Sequence, residues 1–225
     1  MNSSKYHKAV FFDLDGLILD TEKLYCKLMV DYSKKINLDM TENYYINNLL
    51  GKTKNQITDI LKEKYNDKFN EEYFWDGLLK YREEYIDNNE INVKEGFFEL
   101  IDYLKRNDYY IGIVTSNSYV LVKKLLSKTK INLNDFNSII TREKVSKPKP
   151  SDELYQCAIK ESLIDKDQLI VLEDSSVGLK SAISLDLNVI HVKDIEMIND
   201  ELLSKCIASV KSLKEVITIL EKWEG

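Results

Sequence analysis

Four consecutive apolar residues, Ala9-Val10-Phe11-Phe12, run unbroken into Asp13-Leu14-Asp15-Gly16. A strand that is apolar on both faces needs cover on both faces, which points to a parallel sheet enclosed by helices. The rest of the chain keeps to that frame. Tyr110-Ile111-Gly112-Ile113-Val114, Ser138-Ile139-Ile140, Leu169-Ile170-Val171-Leu172 and Asn188-Val189-Ile190-His191-Val192 are further strand-like runs. Residues 96–104, 119–127, 152–162, 177–185 and 213–223 carry apolar side chains at helical spacing. Strand and helix in alternation imply right-handed crossovers and an α/β fold, a doubly wound, Rossmann-like parallel sheet.

One stretch departs from the alternation. Residues 22–35, 53–65 and 71–86 read as amphipathic helices with no strand among them. Residues 21–89 are therefore expected to form an inserted all-helical cap domain, with 1–20 and 90–225 building the catalytic core. Hydrophobic residues make up 44% of the chain and charged ones 31%, enough apolar material for a core and too much for a disordered chain. The net charge of −6 argues against a broad nucleic-acid-binding face, but leaves room for a local pocket that takes a small phosphorylated ligand. Cys26, Cys157 and Cys206 form no metal-like pair and are odd in number, so unpaired thiols in a reducing cytoplasm are expected. Residues 1–8 are polar and too short for a secretory signal, and no run approaches a membrane span. A cytoplasmic monomer without a membrane or nucleic-acid partner is expected.

Ligands of a doubly wound sheet bind beyond the carboxyl ends of its strands, and four polar clusters fall at or near such ends. Asp13 and Asp15, spaced i and i+2, repel unless a cation or a proton intervenes, and Gly16 permits a tight backbone directly after them. Thr115-Ser116-Asn117 offers a hydroxyl and free amides to an anion, although Ser116 or Ser118 could equally cap a helix. Lys147-Pro148-Lys149-Pro150 contains both prolines of the chain, which stiffen the loop and fix where a lysine points. Glu173-Asp174-Ser175 could share a hard cation with the first pair, or Asp174 or Ser175 could cap the following helix.

As a set, Phe12-Asp13-Leu14-Asp15-Gly16, Thr115-Ser116-Asn117, Lys147-Pro148 and Glu173-Asp174 resemble the four motifs of the haloacid dehalogenase superfamily of phosphotransferases. The helical insert is similar to the cap of its beta-phosphoglucomutase-like and phosphoglycolate-phosphatase-like branch. The resemblance implies that Asp13 is the nucleophile, forming an aspartyl-phosphate, and that Asp15 is the general acid and base. It implies that Thr115, Ser116, Asn117 and Gly16 hold the phosphoryl group and that Lys147 offsets its charge. Mg²⁺ would be held by Asp13, Asp174 and the carbonyl of Asp15, with Glu173 in or beside the shell. Asp15 speaks against true dehalogenase activity, since those members lack a carboxylate there.

The cap bears on the choice between hydrolase and mutase. Tyr25 stands where the mutases carry a histidine, and Lys54, in Gly51-Lys52-Thr53-Lys54, where they carry an arginine. Lysine is not equivalent to arginine at a phosphate. These departures favour hydrolysis of a small phosphomonoester, a sugar or nucleoside phosphate, over a phosphosugar mutase. Glu22, Tyr25, Lys52 and Lys54 are candidate substrate contacts, and each is as readily a solvated cap residue. A non-catalytic phosphate-binding or receiver-like module is a distant alternative, disfavoured by the intact motifs and the large insert.

Overall fold

The computed structural model describes residues 6–224; the first part of the polar N-terminal lead, residues 1–5, lies outside them. Six strands, β1 (Ala9–Phe12), β2 (Tyr110–Val114), β3 (Ser138–Ile140), β4 (Leu169–Glu173), β5 (Asn188–Val192) and β6 (Ala208–Val210), form one sheet in the order β3-β2-β1-β4-β5-β6. Every pairing is parallel. The helices are α1 (Thr21–Lys35), α2 (Glu42–Asn48), α3 (Lys54–Tyr65), α4 (Glu71–Asn88), α5 (Phe97–Arg106), α6 (Tyr119–Leu126), α7 (Glu153–Ser162), α8 (Ser176–Ile183), α9 (Asp200–Leu203) and α10 (Leu213–Glu224). The chain divides into two compact units. Thr21–Glu90 forms one, and the segments before and after it form the other.

Within the α/β unit, β1 is fully buried, as its sequence demands. Alternate residues serve opposite faces of the sheet. Phe11 packs into a core with Leu154, Tyr155 and Ala158 of α7 and Leu179 and Ala182 of α8. Phe12 meets Phe97 of α5 edge to face on the other side, with ring centres 6.1 Å apart. Each such buried side chain stabilises the fold by roughly 1.5–3 kcal/mol. The strand order reverses at β1, between β2 and β4. The carboxyl ends of these three strands therefore flank the place where a ligand crevice forms in folds of this kind.

The helical unit has its own core, in which Tyr32, Phe69, Phe74 and Tyr65 pack with Met29, Leu38, Met40 and Leu61. Thr53 and Gln56 build a reciprocal capping box at the start of α3. Three short elements escape the sequence patterns: α2, α9 and β6. The first is a Tyr- and Asn-rich helix of seven residues held by the Thr41 cap. The second spans four residues. The third is a three-residue edge strand with an exposed Ser209. Cys26 is buried and Cys157 and Cys206 are half-buried, all as free thiols. Among the described residues no helix is long and apolar enough to cross a membrane.

Candidate active site

The backbone turns sharply after β1. The amide of Asp13 still donates to Leu172 O of β4, at 3.1 Å, which extends the sheet register by one residue. The amides of Ile18 and Leu19 then both donate to Leu14 O at 3.0 Å, and Gly16 N donates to Leu19 O at 2.8 Å. Gly16 has φ +77°, in the left-handed region. A side chain there would also overlap the Asp174 carboxylate. The tight turn thus lets the main chain press against the acidic end of β4.

Lys149 is the hub. Its Nζ donates to Asp13 Oδ1 and to Glu173 Oε1, both at 2.5 Å, and to Val114 O at 2.8 Å. It therefore ties together the ends of β1, β2 and β4, with its side chain 3% exposed. Burial works against its charge, but Asp13 and Glu173 outweigh that and hold the ammonium above its ordinary pKa. Glu173 is fully buried and also accepts from Tyr155 Oη at 2.7 Å and from Ser175 Oγ at 3.3 Å. Gly178 makes room for it, since a Cβ there would overlap the Glu173 carboxylate.

The lysine expected from the sequence was Lys147, and the structure corrects this. Lys147 is exposed. Its amide and that of Ser146 donate to Glu153 Oε2, at 3.1 and 2.7 Å, which pins this part of the loop at the start of α7. The chain then turns back on itself, with Ser151 N donating to Pro148 O at 3.0 Å, and the turn presents Lys149 inward. The two lysines are two residues apart in one proline-containing loop, and it is Lys149, not Lys147, that reaches Asp13.

Asp15 is half-buried and accepts from Asn117 Nδ2 at 2.5 Å. Asn117 is oriented in turn by its amide, which donates to Thr115 Oγ1 at 3.1 Å. Thr115 is buried at the end of β2, and Ser116 lies exposed beside it. Ser118, not Ser116, caps α6, and Ser175, not Asp174, caps α8. Asp174 is thereby released from capping. Carboxylate oxygens of Asp13, Glu173 and Asp174 lie within 4.8 Å of one another. Burial, against the pull of Lys149, pushes the Asp13 carboxyl up to about 8 in the absence of a cation. Buried hard oxygen donors whose charges cannot coexist unaided fit a divalent cation such as Mg²⁺. Because Glu173 is occupied by Lys149, Tyr155 and Ser175, Asp13 and Asp174 are the carboxylates best suited to hold it.

The four cap candidates are held within the helical unit. Glu22 and Tyr25 lie on α1, where the Tyr25 ring faces the Arg82 guanidinium at 5.3 Å. Lys54 opens α3 and rests its ammonium over Trp75 at 5.2 Å. Lys52 lines an open cleft with Tyr44, Asn48, Ile60 and Lys64. Sequence reasoning missed Lys149 and Tyr155. Tyr155 was hidden in the apolar stripe of a helix.

A family model for haloacid dehalogenase-like hydrolases matches residues 10–192. Hexitol phosphatase B of Escherichia coli is 23% identical over 228 residues, covering 96% of this chain and 97% of that protein. A phosphorylated carbohydrates phosphatase of Thermotoga maritima is 21% identical over 217 residues, covering 96% and 99%. The solved structure of a beta-phosphoglucomutase from Clostridium difficile superposes with a TM-score of 0.73 at 22% identity, covering 96% of this chain and 97% of that one. At that identity the structural likeness is one of fold.

Proposed function

The chain belongs to the haloacid dehalogenase-like hydrolase family, and on that premise we propose that it is a Mg²⁺-dependent phosphatase that hydrolyses a small phosphomonoester, a sugar or nucleoside phosphate, through an aspartyl-phosphate on Asp13. The observation that carries this reading is the buried lysine between two carboxylates. Lys149 holds Asp13 at the carboxyl end of β1, beside Glu173 and Asp174, in a cluster of hard oxygens.

The Asp13 carboxylate attacks phosphorus as the bond to the substrate alcohol breaks, and Asp15, held by Asn117, gives its proton to the departing oxygen. In the second half, Asp15 takes a proton from water, the water oxygen attacks phosphorus, and the bond to Asp13 breaks to release inorganic phosphate. Thr115 and the amide of Ser116 would hold the phosphoryl oxygens. Lys149 fixes the Asp13 carboxylate and offsets the charge that builds on the phosphoryl group, while Glu173, Tyr155 and Ser175 keep Lys149 in place. A Mg²⁺ ion held by Asp13, Asp174 and the Asp15 carbonyl would supply charge neutralisation for Asp13 and the phosphate. The phosphatase names of the two relatives that match over nearly their whole length support a phosphorylated carbohydrate as substrate.

Hydrolysis is favoured over phosphoryl return by the cap residues. Tyr25 is paired with Arg82, and Lys54 rests on Trp75. Neither is a fixed, forked grip on a second phosphate. The test is phosphorus NMR of purified protein with beta-glucose 1-phosphate, a trace of the bisphosphate and a panel of hexitol and nucleoside phosphates. Magnesium-dependent growth of inorganic phosphate is expected. Glucose 6-phosphate appearing with little free phosphate would overturn hydrolysis, and no turnover of any ester would overturn the phosphatase reading.

A further inference from the structure

We infer that Asp194 is a positioning residue for the divalent cation, its inner oxygen accepting a hydrogen bond from a water bound to the metal beside Asp174. The inference rests on the cation site proposed above and adds a residue to it.

Asp194 follows β5, next to β4 in the sheet. Its side chain is only 1% exposed. One oxygen, Oδ1, accepts from Lys94 Nζ at 2.6 Å. The other, Oδ2, is buried and accepts no hydrogen bond from the described residues. A buried carboxylate oxygen left in that state pays its full desolvation penalty, so its retention calls for a donor that arrives with a ligand. Its direction says which ligand. Oδ2 stands 3.1 Å from the point where a side chain on Gly16 would begin, and the same point is overlapped by Asp174 Oδ2. Oδ2 of Asp194 and Oδ2 of Asp174 therefore lie against the same point of the turn that carries Asp15 and Gly16. A Mg²⁺ ion keeps several of its waters, and those waters are donors of the kind that Oδ2 lacks.

The outer side of Asp194 explains its fixed orientation. Lys94 also reaches Asp20 Oδ1 at 3.7 Å. Lys94 and Asp20 sit on two chain segments zipped together by Asp20 N donating to Asn92 O and Lys94 N donating to Ile18 O, both at 2.9 Å. The lysine thus consumes one oxygen of Asp194 from a rigid platform and leaves the other facing inward. Partners that hold a metal's surroundings in this way typically contribute 10–100-fold to affinity.

The experiment measures Mg²⁺ binding directly, by isothermal titration calorimetry, with the water count of bound Mn²⁺ read by electron paramagnetic resonance. Asp194→Asn, with Asp194→Ser as a smaller second variant, is expected to raise the Mg²⁺ dissociation constant about 10-fold and to alter the Mn²⁺ water signal. Glu221→Gln, exposed on α10, controls for loss of one negative charge and is expected to bind as wild type. A folded Asp194 variant with unchanged Mg²⁺ affinity overturns the inference. Wild-type protein that binds no divalent cation overturns the parent reading instead. If neither variant folds, the carbon-13 resonance of the Asp194 carboxyl in wild-type protein decides. It shifts on Mg²⁺ addition if the water bridge forms, and an unmoved resonance contradicts it.

Discussion

Replacing Lys149 with methionine removes the ammonium and keeps most of the apolar stem. It strands two carboxylates. Glu173 is fully buried and, among the described residues, keeps Tyr155 and Ser175 as donors, and Asp13 loses its Lys149 partner at the carboxyl end of β1. Removing one member of a buried ion pair typically costs about 3–5 kcal/mol, which in a chain of this size lowers the melting temperature by roughly 6–20 °C. Asp13, whose carboxyl burial already raises to about 8 with the lysine in place, escapes the penalty by binding a proton. A folded-state carboxyl pKa raised above its unfolded value means that the native state holds protons the unfolded chain has released, so stability falls as pH rises. The deficit of Lys149→Met is therefore larger at pH 8 than at pH 5. Lys147→Met, at an exposed position whose amide donates to Glu153, stays within about 0.5 kcal/mol of wild type. Combining Lys149→Met with Glu173→Gln removes one stranded charge and recovers at least about 1 kcal/mol. Calorimetric melts of the metal-free proteins at the two pH values test this. Equal losses in the two lysine variants, or a Lys149→Met protein as stable as wild type, would refute the assignment of the buried cation.

Two further outcomes follow from the same cluster. Burial raises the Asp13 carboxyl to about 8, so metal-free wild-type protein loses stability from about pH 4 up to that value, and Asp13→Asn flattens that part of the profile; melting temperature against pH is the measurement. Gly16→Ala forces a left-handed alanine at about 1–2 kcal/mol and drives a methyl group into the Asp174 carboxylate, so it lowers both the melting temperature and the affinity for Mg²⁺ in calorimetric titration.

The sheet was legible because its strands are short, apolar throughout and separated by amphipathic helices. β1, β2, β3 and β5 begin and end where the apolar runs do. β4 runs one residue further, to Glu173, because that carboxylate is buried by Lys149 and Tyr155 rather than hydrated. β6 was illegible: Ala-Ser-Val at a sheet edge carries too little hydrophobic pattern to stand out from a loop. The acidic half of the site could be read from strand ends, since a carboxylate following a fully buried strand has few places to go. The cationic half could not be resolved to one residue. Lys147 and Lys149 sit in the same proline-stiffened loop, and the choice between them depends on Glu153, seven residues from Ser146, binding the loop amides at its outer end. Asp194 and Lys94 meet across 100 positions of sequence, a separation at which no local pattern carries a signal.

The covalent step is tested most directly by trapping. Enzyme in excess is mixed with a turned-over phosphomonoester labelled with phosphorus-32, quenched in acid within milliseconds and mapped by peptide mass spectrometry. An acid-stable, base-labile acyl phosphate on Asp13, formed and lost at rates that account for turnover, is the result expected. Turnover with no label on the protein, or label on any residue other than Asp13, would contradict the account.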